Sequence, residues 1–128
     1  MQYLLMIYAD EATLAERMQP DQDAVTAAYV SYMQALKEAG ALVGLNRLRP
    51  TAAATTVRVA NGKSQVLDGP YADSKEQLAG YFLIDVADLD AALSWAARCP
   101  GAAQGIVEVR PIWEMQNEQA AAQHALSA

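Results

Sequence analysis
Cysteine and histidine are nearly absent from this sequence of 128 residues, which contains one of each, Cys99 and His124. A single cysteine excludes an intrachain disulfide, so a reducing compartment is the simpler expectation. Cys99 is either a reactive thiol or a small buried residue at a helix end beside Pro100. The second interpretation is favoured because no histidine lies nearby in sequence to activate the thiol. No metal site is expected, and cofactor-free function is the default.

Runs of basic residues and familiar catalytic signatures are also missing. The chain has 9 Lys and Arg against 15 Asp and Glu and a net charge of −6, and its pI is near 4.6. Because binding to phosphates needs clustered cations, direct nucleic-acid binding is disfavoured. The sequence contains no phosphate-binding glycine loop, zinc spacing, nucleophile elbow or EF-hand loop.

Long hydrophobic runs are absent as well. The amino-terminal segment lacks a basic region and reaches Asp10 and Glu11 after about seven apolar residues. This length suits a strand and is too short for a signal peptide or a membrane span. A cytoplasmic protein without membrane contact is therefore expected.

Apolar periodicity and turn residues predict the secondary structure. A possible capping box from Thr13 to Glu16 indicates a short helical turn, and the first long helix is expected to start at Pro20 and end at Gly40. A second helix is capped by Asp88 and ends at the Pro-Gly pair 100–101. Strands are predicted at 2–8, 41–48, 55–60, 63–68, 80–86 and 105–113, and Asn61-Gly62 between the third and fourth is a strong hairpin signal.

This order of elements predicts one α+β domain over residues 1–113, followed by an Ala/Gln-rich flexible tail at 114–128. Strand, helix, strand, hairpin, strand, helix, strand matches a split βαβ plan, with two helices on one face of an antiparallel sheet. The strands at 2–8 and 80–86 are apolar on both sides, so the other sheet face is expected to pack against a second copy. A two-fold homodimer is the predicted state.

The most unusual stretch is 66–81, where polar and conformationally special residues interrupt the apolar sequence. Asp68-Gly69-Pro70 predicts a tight turn. Ser74 to Gln77 has the spacing of a capping box, with a competing box from Asp73 to Glu76, so a capped helical turn is expected before the next strand.

Several motifs in this order resemble the YCII-related family, in the branch named for an Asp-Gly-Pro-Phe tetrapeptide (DGPF). They are Asp68-Gly69-Pro70-Tyr71, with Tyr71 where the branch has Phe, then Lys75-Glu76, Gly80-Tyr81 and Glu108-Val109-Arg110-Pro111-Ile112. The resemblance covers about residues 1–113. It implies a ferredoxin-like fold that dimerises through its sheets into an α/β barrel, an architecture shared with muconolactone isomerases and some monooxygenases.

The resemblance also bears on activity and partners. DGPF members are often bacterial, and some are encoded beside extracytoplasmic-function sigma factors, which suggests a pathway but no reaction. Smaller family members carry a His–Asp pair near the first helix. A mechanism that needs that pair is in doubt here, because the one histidine, His124, lies in the tail.

Two carboxylates are the candidate catalytic residues. Asp68 is either a general base or ligand contact, or the Asx cap of its own turn. Glu76 either faces a pocket or caps the helical turn. Lys75 could join Glu76 in an acid–base pair or lie solvated on the surface, since adjacent residues in a helical turn point about 100° apart.

The candidate ligand-binding residues are Tyr71, Lys75, Tyr81, Glu108 and Arg110. Glu108 and Arg110 lie two apart on one strand and so share a face, where Arg110 would clamp an anion and Glu108 would fix it. Alternatively, they form an ion pair between strands or across the dimer. The two tyrosines are pocket walls or ordinary aromatic packing.

Two functions of different classes follow from these assignments. In the first, a homodimer binds a small molecule in each subunit or catalyses a cofactor-independent proton transfer with Asp68, Glu76 and Arg110. In the second, a non-catalytic regulator acts with a sigma-factor-pathway protein and uses the segment 66–77 as its docking surface.

Overall fold
The computed structural model describes residues 1–72 and 74–114, with the backbone alone for residues 15–22. Its elements in chain order are β1 (Gln2–Ala9), α1 (Glu11–Glu38), β2 (Leu42–Arg47), a 3-10 turn (Thr51–Ala53), β3 (Thr55–Ala60), β4 (Lys63–Asp68), β5 (Gln77–Asp85), α2 (Leu89–Arg98), α3 (Pro100–Gln104) and β6 (Ile106–Pro111). Residues 115–128 of the predicted tail and the candidate capping residue Asp73 lie outside the described residues.

The main sheet has the strand order β2-β5-β1-β6, and every neighbouring pair is antiparallel. β5 lies between β1 and β2, and β6 lies beside β1 at the other edge. This is the split βαβ arrangement, so the predicted α+β, ferredoxin-like class is confirmed. The inserted β3–β4 hairpin forms a separate two-stranded sheet.

The core lies between one face of the main sheet and the helices. β1 alternates in burial along its length, and Tyr3, Leu5 and Ile7 are the residues that it buries. They pack in one cluster with residues of β5 and both long helices, namely Phe82, Ile84, Tyr32, Leu36, Ala92 and Ala96. We call this side of the sheet the covered face and the opposite side the open face.

The first helix is longer than predicted. It starts at Glu11, because the Asp10 carboxylate accepts hydrogen bonds from the backbone N–H groups of Ala12 and Thr13 and so caps the helix. The predicted capping box at Thr13 and the predicted helix start at Pro20 are therefore wrong. Proline removes one backbone hydrogen bond, but the 28-residue helix continues through it.

The predicted helical turn at 74–77 is also wrong, because Lys75 and Glu76 form a non-helical bend. The Ser74 hydroxyl donates to the carbonyl oxygen of Glu76, and the Gln77 side-chain amide donates to the carbonyl oxygen of Ser74. These local bonds lead directly into β5, which begins at Gln77. A second, smaller difference follows α2, where Pro100 starts the short helix α3.

The hairpin prediction is confirmed at both strands. Asn61 and Gly62 have φ values of 54° and 74°, the left-handed conformation that a two-residue hairpin turn requires. The strands pair in continuous register from Ala60 opposite Lys63 to Thr55 opposite Asp68. No residue of β3 or β4 is buried, so the hairpin stands apart from the core.

Candidate functional site
A row of four side chains crosses the open face of the main sheet. Asn46 on β2 lies opposite Tyr81 on β5, Tyr81 lies opposite Met6 on β1, and Met6 lies opposite Glu108 on β6. Residues directly opposite each other in antiparallel strands project to the same side. The row therefore brings polar groups from both edges of the sheet onto one surface.

The β2 edge of this row is a hydrogen-bonded pair. The Asn46 side-chain amide donates to the Tyr81 hydroxyl oxygen at 2.7 Å. Because that oxygen accepts from Asn46, the hydroxyl proton of Tyr81 remains available to donate to another group. Tyr81 was predicted from sequence as a ligand contact, and the structure adds a fixed orientation to its hydroxyl.

The β6 edge of the row carries an ion pair. Nη2 of Arg110 lies 2.8 Å from Oε2 of Glu108, as expected for two residues spaced by two on one strand. The Arg110 side chain is 70% exposed and the Glu108 side chain 42% exposed, so the guanidinium keeps donors that face solvent. This contact fits the predicted fixing role of Glu108. It lies within β6, whereas the alternative interpretation placed the ion pair between strands or across the dimer. The ligand-binding role of both residues stays a prediction.

Between these two polar edges the open face is apolar. Leu4 on β1 lies opposite both Leu83 on β5 and Arg110 on β6, one row along from Met6. Leu4, Met6 and Leu83 are half-buried within one subunit. The surface is thus an apolar centre with a hydroxyl–amide pair at one side and a carboxylate–guanidinium pair at the other.

The structure does not place Asp68 and Tyr71 in this row. Asp68 ends β4 and is exposed. Pro70, two residues on, has no N–H to donate to its carboxylate, and the roles of Asp68 as Asx cap, general base or ligand contact stay predictions. The backbone N–H of Gly69 donates to the Ala54 carbonyl at 2.7 Å and so extends the β3–β4 ladder by one bond. The Tyr71 ring is 79% exposed.

The neighbouring residues Lys75 and Glu76 differ in their exposure to solvent. Lys75 is exposed, and Glu76 is half-buried. Within the described part of the chain, Oε2 of Glu76 is out of solvent contact and has no hydrogen-bond partner. Because no helix forms at 74–77, the capping interpretation of Glu76 is wrong, whereas its catalytic role stays a prediction.

Hydrogen bonds that sequence reasoning missed connect the start of the first helix to two other segments, the 3-10 turn and the start of β5. The two carboxylate oxygens of Glu11 accept from the backbone N–H and the hydroxyl of Thr51, each at 2.8 Å. The backbone N–H of Glu11 donates to the side-chain oxygen of Gln77 at 3.1 Å. An Asp cap followed by an acidic first turn is the signal that would have marked Glu11 as the start of a helix.

Cys99 lies buried beside α3, close to Tyr29 of α1. Burial raises the pKa of the Cys99 thiol, against the lowering effect of the Gly101 and Ala102 N–H groups and the Tyr29 hydroxyl. Burial is also the main cause that raises the pKa of Tyr29 to about 12. The favoured interpretation of Cys99 as a small buried residue is confirmed, because a thiol with a raised pKa is a poor nucleophile at neutral pH.

Metal-ligand clusters and membrane-spanning helices are both missing from the described residues. They contain no group of three or more His, Cys, Asp or Glu side chains that could hold a metal ion. None of the helices in the same part of the chain is long and apolar enough to cross a membrane.

Comparison with known proteins agrees with the fold. The YCII-related domain matches residues 1–116. An uncharacterized protein of Rhizobium meliloti (strain 1021) is 41% identical over 121 residues, which cover 88% of this chain and 92% of that relative. The chain therefore belongs to the YCII-related family.

Proposed function
We propose that this YCII-related protein is a cytoplasmic homodimer that binds a small organic anion on the open face of its sheet. The observation that carries the proposal is the row from Asn46 to Glu108, in which polar pairs flank an apolar centre. Binding sites for small molecules commonly combine an apolar lining with a few fixed polar groups. The open face has this composition on an extended, ordered sheet.

The apolar centre supports the homodimer. Leu4, Met6 and Leu83 lie on a sheet face that no described helix covers. Contiguous apolar surface of this kind marks interfaces in soluble proteins, and the commonest homo-oligomer is a two-fold dimer. If two open faces pack at their apolar centres, the polar pairs at the sides would border an enclosed space in which a ligand could lie.

The donors at both sides of the face support an anion as the ligand. Arg110 uses one guanidinium nitrogen on Glu108 and keeps further N–H groups, which suit a carboxylate. Tyr81 supplies an O–H donor oriented by Asn46. A compact aromatic or aliphatic carboxylate would meet the donors with its charged end and the apolar centre with its body.

Binding is better supported than proton transfer. A cofactor-independent proton transfer would need Asp68 or Glu76 as a base beside the bound ligand. Within residues 1–72 and 74–114, neither carboxylate is hydrogen-bonded or ion-paired to Tyr81 or Arg110, whose side-chain partners are Asn46 and Glu108. Asp68 lies on the separate hairpin, and Oε2 of Glu76 lies out of solvent contact.

Ligand binding is tested by calorimetric titration of the protein with benzoate and, as an uncharged match, benzamide. Wild type should bind benzoate in preference to benzamide. Loss of a hydrogen bond to a charged group costs about 1.5–3 kcal/mol, so Arg110→Gln should weaken benzoate binding by about tenfold or more. The matched control is Arg58→Gln, which removes an exposed arginine from the hairpin and should leave binding unchanged. Equal losses in both variants would mean that net charge, and not the open face, attracts the anion.

The homodimer is tested separately by sedimentation equilibrium. Leu83→Glu places a charge on the open face and should yield monomers. Leu93→Glu is the matched control, because Leu93 is 47% exposed on α2, away from the proposed interface. A wild-type protein that stays monomeric at all concentrations would refute the dimer.

A regulatory role is the second candidate. It is favoured by the exposure of Asp68, Tyr71 and Lys75, which present a polar and aromatic surface at the end of the hairpin. The partner expected from the family resemblance is a sigma-factor-pathway protein. Titration with a purified extracytoplasmic-function sigma factor should give binding that Tyr71→Ala weakens, and an unaltered affinity in that variant would count against this role.

A further inference from the structure
The β3–β4 hairpin carries an apolar stripe that nothing in the described chain covers. Val57 lies opposite Val66, and Val59 lies opposite Ser64 on the same side of the two-stranded sheet. The three valines are 61%, 65% and 62% exposed for Val57, Val59 and Val66 respectively. We call these three residues the valine face.

The opposite side of the hairpin is different, because residues of the same subunit lie on it. The Arg58 guanidinium sits over the Tyr71 ring at 5.8 Å from the ring centroid. The Thr56 hydroxyl donates to the carbonyl oxygen of Gly69 at 2.8 Å. These contacts fold the segment after β4 back onto this side and leave the valine face without a cover.

An uncovered hairpin of this kind needs a packing partner. A two-stranded sheet is marginally stable in water unless another surface packs against it. The strands β3 and β4 contact chiefly each other, and none of their residues is buried. The ordered hairpin is therefore best explained by an assembly in which its apolar side is covered.

We infer that the valine face packs against a second copy of this chain, so that the hairpin is an arm of the homodimer. This inference rests on the proposed dimer. The valine face presents at most a few hundred Å², whereas a stable interface takes about 800 Å² from each partner. It is too small to dock a separate protein alone, but it extends an interface that the open face begins.

Symmetry supplies the second reason for choosing another copy. In a two-fold dimer each contact between different surfaces occurs twice, so one arm on each subunit adds its area two times. The described part of the chain also leaves two apolar surfaces uncovered, the open face and the valine face. One two-fold assembly can cover both, which a partner bound at a single surface would not do.

The test compares substitutions on the two sides of the same strand. Val66 and Leu67 are neighbours with equal exposure of 62%, but they project to opposite sides. The triple variant Val57→Thr, Val59→Thr and Val66→Thr removes the apolar stripe and keeps β-branched residues that favour strands. Leu67→Thr is the control, and the dimer dissociation constant of each full-length protein is measured by sedimentation equilibrium.

We expect the triple variant to raise the dimer dissociation constant by about tenfold or more, and Leu67→Thr to leave it within about twofold. A dimeric wild type with an unchanged constant in the triple variant would overturn the arm and leave the proposed dimer standing. A wild type that is monomeric throughout would overturn both. An equal loss in the Leu67→Thr control would overturn the assignment of the valine face.

A second measurement does not depend on the variants folding correctly. Wild-type protein with labelled valine, leucine and methionine methyl groups is mixed with unlabelled protein, and an isotope-filtered NOE spectrum records contacts between copies only. Cross-peaks from the methyl groups of Val57, Val59 and Val66 are expected. A dimer that gives intermolecular cross-peaks from the open face and none from these valines would refute the arm.

Discussion
The two faces of the main sheet are made by the same strands and have opposite characters. Along β1, Tyr3, Leu5 and Ile7 face the helices and are at most 7% exposed, whereas Leu4 and Met6 between them face outward and stay half-buried. The residue types are equally apolar, so composition does not distinguish the faces. The difference is what covers them within one subunit, and it separates residues that hold the fold from residues available for assembly and binding.

The largest expected effect comes from the covered face. Leu5 is fully buried, so Leu5→Ala removes apolar contacts and leaves a cavity, with an expected loss of about 2–5 kcal/mol in the free energy of unfolding. Leu4→Ala, the same change one residue earlier on the open face, should cost clearly less. Urea denaturation of both variants at one low protein concentration measures the difference.

The same pair of variants distinguishes folding from assembly when the protein concentration is varied. If the open face dimerises, the stability of wild type rises with protein concentration by mass action. Leu4→Ala should reduce that rise. Leu5→Ala should lower the free energy of unfolding at every protein concentration and leave its dependence on concentration unchanged. Equal stability losses at low concentration would contradict the contrast between the two faces.

Local sequence signals predicted the fold well where the local interaction is also the one that decides the structure. Asn61-Gly62 fixes the hairpin turn by itself, and Asp88 caps α2 through a hydrogen bond to the Ala91 N–H at 2.9 Å. The capping-box patterns that begin at Thr13 and Ser74 did not predict the structure correctly, because other local interactions are formed instead. Asp10 gives α1 an earlier cap, and the Ser74 hydroxyl donates to the Glu76 carbonyl in a non-helical bend.

The candidate site was also predictable only where its contacts are local in sequence. Glu108 and Arg110 are spaced by two on one strand, so their shared face could be read from the sequence. The bond from Asn46 to Tyr81 could not, because it depends on the register between β2 and β5, which shifts at a bulge between Leu42 and Gly44. No local pattern specifies that register. Glu11 and Thr51 likewise meet only through the tertiary arrangement.

An intermediate effect is expected on the covered side at alkaline pH. The pKa of Tyr29 is raised from 10.0 to about 12, mainly by burial, so the neutral phenol is favoured in the folded state. The pKa of this tyrosine is 10.0 in the unfolded chain. Its contribution to stability is therefore complete below pH 10 and is lost as pH rises from 10 to 12. For a fully buried group the loss by pH 12 would be on the order of 2 kcal/mol, and the partial exposure of Tyr29 reduces the expected loss to about 1 kcal/mol.

Tyr29→Phe tests this expectation, because phenylalanine has no proton to lose. Urea denaturation between pH 9 and pH 12 should show a shallower fall in stability for the variant than for wild type. Tyr81→Phe, on the open face, is the control and should leave the slope unchanged. A wild-type slope that Tyr29→Phe does not alter would mean that other groups, such as the buried Cys99, cause the alkaline loss.

The smallest effect is expected for the ion pair on the open face. Glu108 and Arg110 are exposed enough for solvent to screen their attraction, and such pairs contribute about 0–1 kcal/mol. A double-mutant cycle with Glu108→Gln and Arg110→Gln measures the coupling directly by urea denaturation. A coupling near zero would mean that the fold does not need the pair, so a tenfold loss of benzoate binding in Arg110→Gln would reflect contact with the ligand. A coupling above about 2 kcal/mol would instead make the pair part of what holds β6 to the sheet, and the contrast between a stabilising face and a binding face would fail at this edge.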